Sequence, residues 1–300
     1  MSATLVPSCG AWWGVSTPTG TDGVAAFERM TGARTDIYHG YHRIGQMFPT
    51  SSEIALANDP TGHRYLLLSL MPTTRHTWAQ VAAGAEDAYL NRLARHIRST
   101  YNKPFFLTIH HEPENDVVAR AGSGMQAKDF RAMFRHVVHR LRNRGVDNAV
   151  FVVNFQGTQK FHLEKWWPTM YPGDDVVDWI AWDSYSCVKP KNGPCRDFAG
   201  MMNVRFSKRS PWPGMYNYMS SHHGNKPFMV AEFGVYNTHD KRKAAVIRSA
   251  LSQASSFPKV KAIAYWNSGT RRLARVTPGS TAATALSRWA SSSLFRQQVP

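Results

Sequence analysis

Two glutamates follow apolar runs in this sequence, and each lies where a buried strand would end. Glu112 stands in PFFLTIHHEPEND (104–116), where a bulky apolar run ends abruptly in two histidines and three acids. Glu232 stands in KPFMVAEFG, a second run of the same kind. A solvated turn would explain such polarity. If the two carboxyl groups meet in one cleft, they instead have the chemistry of glycoside hydrolysis, one as proton donor and the other as nucleophile.

The elements that would position these glutamates alternate along the chain. Helical patterns of apolar residues lie between several strand-like runs, at 87–100, 127–144, 241–255 and 282–291. Strand–helix alternation predicts a parallel sheet, and eight units in 300 residues predict a single (β/α)8 TIM barrel over residues 1–300. A doubly wound sheet is the alternative, but no Gly-rich phosphate turn follows an early strand. The eight runs are 11–15, 35–39, 64–70, 104–110, 149–154, 176–183, 226–233 and 260–266.

In a barrel of this kind, chemistry is located at the carboxyl ends of the strands. Glu112 ends the fourth strand and Glu232 the seventh, on opposite sides of the barrel mouth. Aromatic faces suit the apolar faces of sugar rings, and Trp266 offers one at the end of the eighth strand. Further candidates at strand ends are His39 and His42, His110 and His111, Asn154, Asp183 and Tyr185, and Asn267. Of these, Asp183 is interpreted as a structural residue or as one that supports the catalytic groups from behind, and His39 and His42 as hydrogen-bonded loop residues.

Four segments resemble glycoside hydrolase family 26, the β-mannanase family. They are RYLLLSLMP with the following AAGAEDAYLNRLARHI, FFLTIHHEPEN, MYPGDDVVDWIAWDSY and KPFMVAEFG, and together they span residues 64–234. The resemblance implies a retaining, endo-acting hydrolase.

The resemblance also implies residue roles. Glu112 matches the acid/base, His111 the histidine before it, and Glu232 the nucleophile. Tyr185 matches a tyrosine that binds the nucleophile, and Trp266 the floor of the central sugar subsite.

This sequence departs from the family pattern at positions that would select the sugar. Thr108 stands where an arginine commonly precedes the motif histidine, and Asn267 stands where mannanases often carry arginine. The polysaccharide partner therefore stays open among mannan, β-glucan, xylan and a cell-envelope glycan. His110, Asn154 and Asn267 are further candidate sugar contacts, and for His110 a packed histidine is the equal alternative.

Two other functions use the same residues. A metal-dependent barrel hydrolase could draw on His39, His110, His111, Glu112 and Asp183, although adjacent strand residues point to opposite faces and rarely share one ion. A non-catalytic carbohydrate-binding barrel on a larger particle would also show an aromatic rim. Because both candidate catalytic acids are present, we expect an enzyme that needs no metal and no cofactor.

The net charge of +16 would favour nucleic acids, anionic membranes or anionic polymers. The basic residues are scattered, mostly over predicted helices, and no nucleic-acid motif accompanies them, so we expect no specific nucleic-acid partner. An apolar run of membrane-spanning length is absent, and the N-terminus shows no secretory signal pattern. We expect a monomer that acts outside the cell or on a cell envelope, by an export route that stays open.

The chain has three cysteines, and two of them, Cys187 and Cys195, bracket the loop CVKPKNGPC. A disulfide there would suit an oxidising compartment, and two free thiols are the alternative. Cys9 would be left over.

Overall fold

A computed structural model describes residues 4–158, 160–187, 195–236, 239–268, 274–296 and 299. Eight parallel strands follow one another in chain order and close into a barrel, because β1 pairs with both β2 and β8. The predicted (β/α)8 barrel is confirmed. The strands are β1 (Trp12–Ser16), β2 (Ile37–Arg43), β3 (Tyr65–Met71), β4 (Phe105–Ile109), β5 (Ala149–Gln156), β6 (Trp179–Ser186), β7 (Phe228–Val235) and β8 (Val260–Trp266).

Helices surround the barrel, and the four predicted ones form within a few residues of their predicted bounds. Between β5 and β6 the described residues form only a short 3-10 turn, Trp167–Met170, instead of an α-helix. The helices are α1 (Val24–Thr31), α2 (Ser51–Ala57), α3 (Trp78–Ala82), α4 (Asp87–Thr100), α5 (Ala127–Arg142), α6 (Phe198–Met202), α7 (Met215–His222), α8 (Asp240–Gln253) and α9 (Thr281–Ala290). Within the described part of the chain, no helix has the length and apolar character needed to cross a membrane.

Alternation along the strands divides the core into two parts. Leu66, Leu68 and Leu70 of β3 pack outward against the helices, whereas Leu67 points into the barrel with Phe106. The lower interior is thus apolar and closed. Towards the carboxyl ends of the strands, the buried side chains become polar, and this polar layer contains His39, Ser69, Thr108, Asn154, Asp183 and Glu232.

The stretch 184–225 contains regular secondary structure. Strand β6 continues to Ser186, and α6 and α7 lie within the span. Cys187 and Cys195 form a disulfide, which decides between the two alternatives left open by the sequence, and Cys9 is exposed and outside it. The loop between the two bonded cysteines, 188–194, lies outside the described residues.

Candidate active site

Glu232 lies at the centre of the polar layer because β7 contains a β-bulge. Met229 and Ala231 point into the barrel, so strict alternation would turn Glu232 outward. The pairing with β6 instead passes from Trp182–Val230 to Asp183–Glu232, and the pairing with β8 also shifts between Val230 and Phe233. The extra residue turns the Glu232 side chain inward, where it is 6% exposed.

Two phenols hold the Glu232 carboxylate, one on each oxygen. Tyr41 donates to Oε1 at 2.5 Å, and Tyr185 donates to Oε2. Burial raises the pKa of Glu232, and the hydrogen bonds from Tyr185 and Tyr41 oppose that rise by favouring the charged form. Glu232 is therefore buried away from water, but the two phenols stabilise its ionised form.

Glu112 lies in a tight turn directly after β4. Its φ of 46° is in the left-handed region, and its amide donates to the carbonyl of Asn154 at 3.0 Å. The side chain of Asn115 donates to its Oε2 at 2.9 Å. Burial, followed by the negative charges of Glu232 and Glu114, raises the pKa of Glu112 to about 8. Glu112 is therefore protonated at neutral pH and can donate a proton.

Asp183 is a third carboxyl group in the same layer. It is 1% exposed, and both of its oxygens accept from the side chain of Asn154 at 3.1 Å. Burial, followed by the charges of Glu232 and Glu112, raises its pKa well above the usual range. Three carboxyl groups that interact this strongly cannot all be ionised at neutral pH, so they titrate as a set.

His110 does not reach the cleft as a sugar contact, which corrects one of the two alternatives left open by the sequence. Its ring is fully buried, and Trp78 Nε1 donates to its Nδ1 at 3.0 Å. The proton is therefore on Nε2, which donates to Asp116 Oδ2 at 2.7 Å. With both ring nitrogens occupied, His110 anchors the turn that carries Glu112.

His111 and Trp266 contact Tyr41 edge-on, with ring centroids 5.2 and 5.5 Å away. Both side chains are partly exposed, so they form a wall of the cleft beside Glu232. Burial, and then the neighbouring His110, lowers the pKa of His111 to about 4, so its imidazole is neutral at neutral pH.

Three other candidate residues form hydrogen bonds to other groups of the protein. Asn154 is 1% exposed and bound to Asp183, so it supports the carboxyl layer from below. Asn267 accepts from the amide of Val276 at 2.9 Å and thereby tethers the chain after β8. His42 binds Glu53 at 2.9 Å on the outer side of β2, as expected for a structural histidine.

The sequence did not reveal Tyr41 because the second strand was predicted to end at His39. Strand β2 runs on to Arg43, so Tyr41 lies two residues beyond His39 on the same inner face. The alternation in YHGYHR is the signal that could have found it. Glu114 was also missed; it is buried and accepts from Trp167 Nε1 at 3.1 Å behind the Glu112 turn.

The histidines proposed as metal ligands are engaged separately. His39 binds Ser69 and Ala231, and His110 binds Trp78 and Asp116. Among the residues that the structure describes, no group of three or more His, Cys, Asp or Glu side chains is arranged to hold an ion.

The fold and the site together resemble those of glycoside hydrolases built on a (β/α)8 barrel. The family model described as Glycosyl hydrolase family 26 matches residues 120–252 of this chain, in agreement with the resemblance found in the sequence. A curated relative, the β-1,3-xylanase TXYA of a Vibrio species, is 26% identical over 171 residues, which are 55% of this chain and 33% of the relative. The chain thus spans about a third of the length of the curated relative it matches.

Solved structures of mannanases share the fold. The catalytic domain of the Bacillus sp. JAMB-750 endo-β-1,4-mannanase has a TM-score of 0.67 at 15% identity, over 94% of this chain and 86% of that chain. A Cellulomonas fimi endo-β-1,4-mannanase double mutant has a TM-score of 0.63 at 15% identity, over 95% and 72% of the two chains. The Bacillus subtilis mannanase BCman has a TM-score of 0.61 at 15% identity, over 92% and 84%.

Proposed function

We propose that this protein cleaves a β-linked polysaccharide internally by double displacement, with Glu232 as nucleophile and Glu112 as acid/base. The observation that carries the proposal is the contrast between the two environments. Two phenols stabilise the charged form of Glu232, whereas burial and neighbouring negative charge keep Glu112 protonated. Burial also raises the pKa of Glu232, but only Glu232 has two phenols that oppose the rise, and this difference supports Glu112 as the acid and Glu232 as the nucleophile.

The first half of the reaction forms a bond between Glu232 and the anomeric carbon. The bond from that carbon to the leaving oxygen breaks, and the leaving oxygen takes the proton of Glu112. In the second half, ionised Glu112 takes a proton from water, whose oxygen attacks the anomeric carbon and releases Glu232. Trp266 and His111 line the cleft beside this centre and are proposed to contact the sugar.

The comparisons suggest which polysaccharides to test first. The curated relative is named a β-1,3-xylanase, and two of the structural neighbours are named endo-β-1,4-mannanases. We therefore place β-1,3-xylan and β-1,4-mannan first, followed by mixed-linkage β-glucan and purified cell-envelope glycans.

The test measures release of reducing ends from this panel by the wild type, Glu232→Gln and Glu112→Gln. The wild type is expected to act on at least one polymer. Glu232→Gln is expected to lose about 10⁴-fold or more in kcat, as when one member of a catalytic unit is removed. Glu164→Gln, an exposed acid in the β5–β6 connection, is the matched control and should keep full activity. Turnover that persists in Glu232→Gln would refute the assignment of the nucleophile.

Proton NMR of the first reducing ends distinguishes the stereochemistry. A β-anomer that appears first and then equilibrates supports double displacement, and an initial α-anomer excludes it. Sugar binding without release, unchanged in Glu232→Gln, would instead support the carbohydrate-binding alternative.

A further inference from the structure

Tyr41 connects the candidate nucleophile to a chain of buried polar groups. Its phenol oxygen lies 2.5 Å from Glu232 Oε1 and 3.0 Å from His39 Nδ1. His39 Nε2 lies 3.0 Å from Ser69 Oγ, and His39 Nδ1 also lies 3.1 Å from the carbonyl of Ala231. His39 and Ser69 are each 1% exposed, so water does not compete for these contacts.

The direction of each hydrogen bond follows from the chemistry of its partners. The carbonyl of Ala231 can only accept, so His39 Nδ1 carries the proton. In a neutral imidazole Nε2 then accepts, and the donor is the hydroxyl of Ser69. The single N–H of Nδ1 is shared between the carbonyl of Ala231 and the Tyr41 oxygen, which therefore accepts, and the phenolic proton of Tyr41 is directed at Glu232.

His39 keeps this tautomer over the working pH range. Burial, and then the nearby His111, lowers the pKa of His39 to about 3. The ring therefore stays neutral wherever Glu232 could act.

We propose that Ser69, His39 and Tyr41 form a directed hydrogen-bond chain that holds one oxygen of Glu232 in place and stabilises its charged form. Tyr41 is then a second positioning residue beside Tyr185, and His39 and Ser69 act through it. The inference rests on the proposed role of Glu232.

Glu232 needs a second hydrogen-bond donor because acidic side chains surround it. Glu112 from the turn after β4 and Asp183 from β6 are acids whose ionisation repels its charge. A hydrogen bond to the charged form offsets such repulsion, so its loss raises the proton affinity of the carboxylate. Among the residues that the structure describes, the titratable groups that face Glu232 or its tyrosines are Glu112, Asp183, Tyr41, Tyr185, Tyr236, His39 and His111.

The first test is the pH profile of kcat/KM for Tyr41→Phe. We expect the acidic limb to move up by about one pH unit and kcat to fall roughly 10- to 100-fold, as for loss of one charge-assisted hydrogen bond. Tyr38→Phe removes a buried phenol from the outer face of the same strand and should leave the profile unchanged. An unmoved acidic limb in Tyr41→Phe, or an equal shift in Tyr38→Phe, overturns the proposal.

A second pair of variants tests His39 through its chemistry. His39→Asn places an amide N–H near the position of Nδ1, whereas His39→Ala removes the donor. We expect His39→Ala to shift the acidic limb in the direction of Tyr41→Phe and His39→Asn to restore most of it. Equal profiles for the two variants would show that His39 serves packing only.

A third readout needs no turnover. Nitrogen-15 NMR of histidine-labelled protein reports the tautomer, and the His39 signals are those absent from His39→Asn. A protonated Nδ1 from pH 5 to 8 supports the chain even if no polymer is cleaved, in which case only the proposed function fails. A protonated Nε2 with a bare Nδ1 overturns the chain whatever the activity.

Discussion

At the scale of single residues, the carboxyl layer makes the stability of the protein depend on pH. The pKa of Glu112 is about 8 in the folded protein, against 4.5 for an ordinary glutamate. Between these values the folded state binds more protons than the unfolded state. Stability from this group is therefore fully present below about pH 4.5 and is lost as the pH rises towards 8.

We predict that Glu112→Gln inactivates the enzyme but stabilises the fold at alkaline pH. The amide has no proton to lose, so the free energy of unfolding at pH 8 should exceed that of the wild type by about 1–2 kcal/mol, a value reduced for partial exposure. At pH 4 the two proteins should be equal. Urea denaturation at both pH values measures the difference, with exposed Glu164→Gln as control. A difference in unfolding free energy between the two proteins that does not change with pH would contradict the prediction.

At the scale of elements, the turn after β4 carries backbone strain that a buried side chain holds. His110 and Glu112 have φ values of 55° and 46° and flank His111. Non-glycine residues in this region cost about 1–3 kcal/mol each and persist where the surroundings impose them. The contacts of His110 with Trp78 and Asp116 supply that restraint.

We predict that His110→Ala loosens this turn and lowers both stability and kcat. The loss of a buried hydrogen bond to Trp78 and a partly exposed one to Asp116, with the indole N–H of Trp78 left unpaired, should cost about 2–4 kcal/mol of unfolding free energy. Urea denaturation and steady-state kinetics measure the two effects. His42→Ala is the matched control, because His42 is also buried and bonded at a strand end but binds Glu53 away from the cleft. The prediction fails if kcat falls equally in both variants.

At the scale of the whole molecule, the net charge is +16, and the basic residues differ in how far they are paired with carboxylates. Arg64 and Arg135 pair with carboxylates. The connection between α6 and α7 on the carboxyl side of β6 instead exposes Arg205, Lys208 and Arg209 around an aromatic ring, Phe206, which is 65% exposed. Such a surface would attract an acidic polysaccharide through long-range electrostatics.

We predict that the triple substitution of Arg205, Lys208 and Arg209 by serine weakens retention on an acidic polysaccharide gel. Retention of the wild type should fall as salt rises above about 0.1 M, where the screening length is about 10 Å, and the variant should start lower. Arg92, Arg95 and Arg98, exposed on α4, provide a control that removes the same charge from an outer helix. Equal losses in both variants would show that net charge alone matters.

The sequence by itself determined the architecture, and it singled out the two acids to which we assign the chemistry. Each barrel strand is buried on both faces, so it appears as a short apolar run, and this signal is local. The polar residues after such runs must gather at one end of a closed parallel barrel. Glu112 and Glu232 could therefore be found without any tertiary contact.

Only the tertiary structure decided which way the side chains of the site point and what they bind. The bulge that turns Glu232 inward arises from the pairing of β7 with both neighbours, and strict alternation would have placed this side chain outside. Likewise, Trp78 and Asp116 take the ring of His110 out of the cleft, and the extension of β2 brings Tyr41 to Glu232. Strand position is a local property of the chain, whereas hydrogen-bond partners such as Tyr41 and Glu232, 191 residues apart, are chosen by packing.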